Sequence, residues 1–163
     1  MESMKKIKIQ PITKKNREIV NEILLKEWNS LFMIVRGKKI SLNEIDGIIA
    51  YDGENIIGII TYLLYDDTLE IISLNSLYEG KGIGTLLIEE VKKKTREEGK
   101  SNIKVITTND NINAIKFYQR RSFIISNVYI NSIEKYRKIK PNIPQKGIFD
   151  IPIRDEIEFV FRI

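Results

Sequence analysis

Three apolar runs, residues 47–51, 56–65 and 68–74, follow one another with only Asp52-Gly53-Glu54-Asn55 and Asp66-Asp67 between them. Short isoleucine-rich runs separated by Gly- and Asp-bearing turns read as strands joined by hairpins, which dictates an antiparallel meander. The period then changes from two to 3.6. Ile83, Leu86, Leu87 and Val91 make one apolar stripe, while Glu89 with Lys93 and Glu90 with Lys94 are spaced for i,i+4 pairs on the exposed side. Gly99 closes that helix, residues 103–107 read as a strand, and Asp110 or Asn111 caps a further helix bearing Ala114, Ile115, Phe117 and Tyr118. Upstream, residues 7–12 alternate as a strand, and residues 16–28 carry Val20, Ile23, Leu24 and Trp28 at helical spacing. Residues 29–45 are mixed, with Arg36-Gly37-Lys38-Lys39 as a turn and room for a second short helix or a mobile segment. Residues 123–130 and 156–163 complete the strands, separated by a proline-bearing stretch over 138–152. With 163 residues, 42% of them hydrophobic, the chain is expected to form one α/β domain over 1–163, with a core of ordinary size.

Composition narrows the chemistry. The chain has no cysteine and no histidine. Thiol nucleophiles, imidazole bases, disulfides and the usual zinc sites are therefore excluded, and no metal is expected. Any reaction must run on carboxylates, tyrosine, lysine, hydroxyls or backbone. The net charge of +5, from 27 basic and 22 acidic residues, has no basic block longer than Lys92-Lys93-Lys94. That balance suits an anionic ligand, and it lacks the clustered basic and aromatic face that nucleic acid requires. The lysines at 5, 6 and 8 precede no apolar signal core, and the longest nearly apolar stretch, 56–65, is too short to cross a bilayer. A soluble cytoplasmic protein without a membrane partner is expected, as monomer or homodimer.

Between the meander and its following helix lies Glu79-Gly80-Lys81-Gly82-Ile83-Gly84, with three glycines on alternate positions. Glycine permits positive φ and close approach of a ligand, and the helix that follows offers unpaired N–H donors and the positive end of its dipole. The loop matches neither familiar nucleotide fingerprint. A P-loop needs Gly-Lys-Ser/Thr at its end, and the dinucleotide motif needs G-x-G-x-x-G opening a βαβ unit. On these letters alone, a phosphate cradle and a glycine-rich turn without a ligand both fit.

The order of elements and two local motifs resemble the GNAT N-acetyltransferases, which use acetyl-CoA. Their first motif, Arg/Gln-x-x-Gly-x-Gly/Ala, lies over Glu79 to Gly84 and runs into Thr85-Leu86-Leu87. Their second, Asn-x-x-Ala-x-x-Phe/Leu-Tyr-x-x-x-Gly-Phe, lies over Asn111-Ile112-Asn113-Ala114-Ile115-Lys116-Phe117-Tyr118-Gln119-Arg120-Arg121-Ser122-Phe123. Two motifs about 30 residues apart, each on the expected element, are far more specific than one. The resemblance implies an α/β (α+β) fold with a mixed, mostly antiparallel sheet, opened into a V between strands 68–74 and 103–107 and flanked by about four helices.

The same resemblance implies site residues. Backbone amides from Glu79, Gly80, Lys81, Gly82, Ile83 and Gly84, with the Thr85 hydroxyl, would meet the CoA diphosphate. Main chain near Leu74 and Ser76 would meet the pantetheine and polarise the thioester carbonyl, as an oxyanion hole does. Asn111 would contact the pantetheine arm or orient the end of strand 103–107, and Ala114 would line the cofactor site. Tyr118 matches the family's general acid, and a phenol of pKa about 10 is able to protonate a thiolate whose thiol titrates at about 8.5; the plain alternative is a core aromatic of the amphipathic helix. Two letters depart from the pattern. Glu79 stands where the family has arginine or glutamine, so this loop should bind through its backbone, and Ser122 replaces glycine.

The base that takes the amine's proton is expected to be Glu70, which alternates onto the strand face of Ile72 and Leu74. An edge-exposed or ion-paired glutamate is the plain alternative. Asp155 interrupts an apolar row of Ile151, Ile153, Ile157, Phe159, Phe161 and Ile163, where it would hold a substrate ammonium or serve a structural ion pair. Trp28 and Arg36 lie where the family's acceptor-side elements fall and would shape the amine pocket, although Trp28 reads first as a simple core anchor. The expected function is acetyl transfer from acetyl-CoA to a primary amine of a small or amino-acid-like molecule, by direct attack in a ternary complex. The alternatives are a CoA-binding sensor without transfer and a protein N-terminal acetyltransferase. Residues 137–158 also resemble a tail of some bacterial members.

Overall fold

The computed structural model describes residues 6–163, so Lys5 and the residues before it lie outside the described range. Two compact units make up the chain, the first running to Ser101 and including Ile163, the second spanning Asn102–Arg162. The first holds β1 (Ile7–Pro11), α1 (Arg17–Trp28), β2 (Phe32–Val35), β3 (Lys38–Ser41), β4 (Asp46–Asp52), β5 (Asn55–Tyr65), β6 (Thr68–Ser76) and α2 (Ile83–Glu97). The second holds β7 (Asn102–Thr108), α3 (Ile112–Arg120), β8 (Ile124–Tyr129), α4 (Ser132–Arg137) and β9 (Glu156–Arg162). Among the described residues the architecture is thus mixed α/β with four α-helices, and strand pairing is antiparallel in both units. No helix among the described residues is long and apolar enough to cross a membrane.

In the first unit β1, β4, β5 and β6 pair in that order, so the expected meander is present and β1 adds to its edge. Side chains alternate across a strand, and the two faces take different helices. One face buries Ile49, Ile59 and Ile72 against Val20 and Leu24 of α1. The other receives α2 through Ile83, Leu87, Ile88 and Val91, all nearly inaccessible. Burying a side chain of that size contributes roughly 1.5–3 kcal/mol. Gly58 sets how closely α2 approaches: a Cβ there would lie 2.6 Å from Ile83 Cγ2 and 2.9 Å from Leu87 Cδ1. The exposed pairs on α2 are Lys92 with Glu89 and Lys94 with Glu98, rather than the two anticipated from sequence, because the lysines find other carboxylates within three or four residues.

Residues 29–45 form neither a second helix nor an irregular segment. They fold into the β2–β3 hairpin, closed by Arg36 and Gly37, both with positive φ (51° and 76°) as a two-residue primed turn demands. A second correction concerns β6. Thr61 faces Ser73 and Tyr62 faces Ile71, so Ile72 is an extra residue and the strand bulges there. Past a bulge the alternation inverts. Glu70 therefore shares its face with Ile72, Ser73 and Asn75, and not with Leu74.

In the second unit β9 pairs with β7 on one side and β8 on the other. Phe123 and Phe159 are fully buried beside Tyr118. The strand expected over 156–163 is β9, and the apolar row expected from residue 151 if pairing is unbroken holds only from Ile157 onward. β9 begins at Glu156, and the chain before it turns at Phe149 and Asp150, whose φ angles are 56° and 61°. On β9 the buried carboxylates are Glu156 and Glu158, and Asp155 lies just before the strand.

Candidate active site

The glycine loop leads directly into α2. Gly80 and Gly82 adopt left-handed backbone conformations, φ 73° and 71°, and a Cβ at either would have no atom within 4 Å. Glycine is needed there for its φ and not for want of room. Gly82 is the helix N-cap and carries no side chain to bond the first-turn amides, leaving that work to backbone geometry and to whatever anion meets it. Ile83 anchors the turn by burial, while Gly84 and Thr85 are half-buried at the helix start. Glu79 and Lys81 are exposed.

The second motif is built the opposite way. Asn111 is the N-cap of α3, its Oδ1 accepting from Ala114 N at 3.1 Å. The motif's asparagine and alanine are thus one capping contact. Tyr118, 5% exposed, packs edge-on against Phe117 and Phe123 at 5.2 and 5.4 Å between ring centres, and near Phe159 at 6.0 Å. Burial pushes its phenol well above the ordinary tyrosine range, with Arg121 opposing the shift. The group therefore keeps its proton at every physiological pH. Ser122, in place of the family's glycine, sits at φ 69°, which explains why glycine is usual there.

Two residues ahead of that helix the chain is tied down by contacts that no sequence pattern announces. Asn109 Oδ1 accepts from the backbone N–H groups of Arg154 and Asp155, both at 2.9 Å, and its amide donates to Pro152 O. Asp110 is buried and accepts from Thr108 Oγ1 at 2.5 Å and from Ile148 N at 3.1 Å. The turn that starts α3 is thereby clasped to the 145–155 stretch. Asp155 belongs to this clasp: its carboxylate accepts from Arg154 Nε at 2.9 Å and Asn131 N at 2.7 Å. The Arg154 hydrogen bond holds its carboxyl below the usual range. Nearby on β9, Glu156 accepts from the Tyr136 hydroxyl at 2.6 Å, and Glu158 from Tyr129 and Ser126 at 3.1 and 2.8 Å. Alternation had assigned these two glutamates to the face opposite the apolar row, and only α4, which the sequence reading lacked, supplies Tyr136 to cover one of them.

In the first unit, Leu74 and Ser76 lie on β6 beyond its bulge, half-buried and exposed respectively. Trp28, the last residue of α1, is 37% exposed and donates through Nε1 to Asn75 Oδ1 at 2.7 Å. Glu70, 4% exposed, is held by Arg36, whose Nη1 lies 2.5 Å from its Oε2. The Tyr65 hydroxyl completes the group, accepting from Arg36 at 3.0 Å and donating to Glu70 at 3.3 Å. Burial and the Glu70 charge push the Tyr65 phenol up to about 12. Two of the residues singled out from sequence are thus brought together as partners, Arg36 and Glu70.

Comparison with known proteins gives this geometry its family. Over 153 residues, 93% of this chain and 96% of the relative, the sequence is 40% identical to the uncharacterized protein YxbD of Bacillus subtilis (strain 168). Another uncharacterized protein of that organism, YdhI, is 41% identical over 144 residues, 88% and 90% of the two chains. In fold the chain is similar to an IAA acetyltransferase from Bacillus cereus, with a TM-score of 0.70 at 19% identity over 97% of this chain and 100% of that one. It is similar to the same degree, TM-score 0.70, to a Bacillus subtilis acetyltransferase in complex with CoA, at 17% identity over 97% and 99% of the two chains. A GNAT family acetyltransferase from Elizabethkingia anophelis with acetyl-CoA bound gives 0.70 at 19% identity, over 98% and 99%. Residues 13–123, from the start of α1 through both motifs, match the Acetyltransferase (GNAT) family, and the chain belongs to that family.

Proposed function

We propose that this protein is an N-acetyltransferase that moves the acetyl group of acetyl-CoA onto a primary amine of a small or amino-acid-like molecule by direct attack. The observation that carries this reading is the paired left-handed geometry of Gly80 and Gly82 at an N-cap without a side chain. It presents backbone donors to a diphosphate and fits the group, since nothing of the protein fills the space over either glycine. Glu79, being exposed, need not approach the phosphates. Main chain at Leu74 and Ser76 polarises the thioester carbonyl. Glu70 accepts the ammonium proton, the freed amine attacks the carbonyl carbon, the carbon–sulfur bond breaks as the Tyr118 phenol protonates the sulfur, and the nitrogen's second proton restores that phenol and leaves the neutral amide. The upward shift of that phenol keeps it loaded with its proton until charge builds on the leaving group. Without cysteine the chain offers no thiol for a covalent acetyl-enzyme.

One observation favours a second reading, a CoA-binding module without transfer: Glu70 is already occupied by Arg36. Thiol release from acetyl-CoA across a panel of polyamines, amino acids, aminoglycosides and peptide N-termini separates the two. Transfer to at least one amine is expected. Acetyl-CoA binding without thiol release for any of them would instead establish the sensor, and transfer confined to peptides would establish a protein acetyltransferase.

A further inference from the structure

The contact between Arg36 and Glu70 is unusual in where its two halves come from. Glu70 belongs to the central strand β6, and Arg36 stands at the tip of the separate β2–β3 hairpin. Arg36 is the first of the two turn residues and holds φ 51°, a left-handed conformation that is strained for an arginine. A turn with no duty beyond reversal would carry asparagine or glycine at that position. A carboxylate as buried as Glu70 also gains nothing for stability over an apolar residue of its size, since desolvation of a charge offsets the pairing. Two costs are therefore accepted to put one charged group beside another. Tyr65, from β5, bonds both partners, so the carboxylate is fixed through each of its oxygens.

A general base must be ionised before it accepts a proton. Burial alone would keep a carboxyl neutral, and a fixed guanidinium is the group that counters this. The Glu70 face of β6 is otherwise taken up by internal pairs, Ser73 with Thr61 at 2.5 Å and Asn75 with Trp28 at 2.7 Å. We propose that Arg36 is a positioning residue for acetyl transfer: acting from the hairpin tip through Glu70, and with Tyr65, it keeps that carboxylate ionised and aimed, and it does not itself contact the acceptor. The proposal rests on the reading of Glu70 as the base.

The test is a double-mutant cycle, using thiol release with the fastest amine of the panel and variants R36M, R36K, E70Q and R36M/E70Q, each checked for folding by circular dichroism. R36M is expected to lower kcat at least tenfold with KM for acetyl-CoA and for the amine within a factor of about two. R36K should recover most of the loss, and R36M in the E70Q background should change kcat by less than about threefold. Additive losses in the double variant, or a rise in amine KM alone with R36M, would overturn the proposal and return Arg36 to the acceptor pocket. E70Q with an undiminished kcat would instead remove Glu70 as base, and Arg36's role with it. Should R36M not fold, Y65F and R36K carry the test: Y65F should lower kcat in the wild-type background and leave it unchanged with E70Q, and any loss shared by both backgrounds counts against the mechanism.

Discussion

The glycine loop and the Asn111–Phe123 motif are built by opposite physical means. The loop is exposed, has open space above Gly80 and Gly82, and works through main chain that only glycine lets into a left-handed conformation. The second motif puts its phenol among Phe117, Phe123 and Phe159, and burial raises that side chain's proton affinity. Backbone chemistry tolerates a changed neighbouring side chain, which is why Glu79 need not spoil the loop. Side-chain chemistry tolerates no loss of its functional atom.

That contrast is easiest to break at Tyr118. Tyr118→Phe keeps the ring and its packing, so kcat is expected to fall by about 10²- to 10⁴-fold, the usual yield of general acid catalysis, with acetyl-CoA affinity unchanged by calorimetry. A loss confined to affinity would make the second motif a binding half like the first. Gly82→Asp should do the reverse, weakening acetyl-CoA by at least about tenfold, or about 1.4 kcal/mol, because it places a carboxylate and a strained φ at the helix N-cap. Retained affinity in that variant would place the diphosphate elsewhere.

Smaller effects sharpen the comparison. Asn111→Ala removes the acceptor of Ala114 N and should lower stability by about 1 kcal/mol in denaturant titration, with any loss of rate following from a displaced α3. An unchanged unfolding midpoint would show that the cap contributes nothing and that Asn111 serves a ligand alone. Ser122→Gly relieves the left-handed serine, and its gain, at most about 1 kcal/mol, should appear in the midpoint without altering kcat. A destabilised Ser122→Gly would mean that the hydroxyl, and not the backbone, defines this turn.

The sequence was most informative where chemistry is local. Glycines at alternate positions ahead of an amphipathic helix, an asparagine three residues before Ala114, and hairpin turns at Gly53 and Asp66 all act within a few residues, so their letters could be read directly. Non-local effects were not legible. The Ile72 bulge arises from pairing with β5, and it moved Leu74 off the Glu70 face. Alternation placed the C-terminal strand correctly over 156–163 but carried its apolar row back to Ile151, because nothing in the letters shows that Asn109 and Asp110 tie down the preceding stretch.

What the chain determined by itself is its antiparallel meander and the helices that carry the two motifs, its lack of imidazole and thiol chemistry, and the motifs that carry its family. Those properties depend on residue type and short spacing, which are present before folding. Tertiary structure alone decided that Tyr118 is sealed among aromatic rings, that Glu156 and Glu158 are buried against tyrosines, and that Glu70 meets an arginine from a hairpin tip. Each of those depends on desolvation and charge between residues far apart in sequence, and such energies exist only once the fold has brought the groups together.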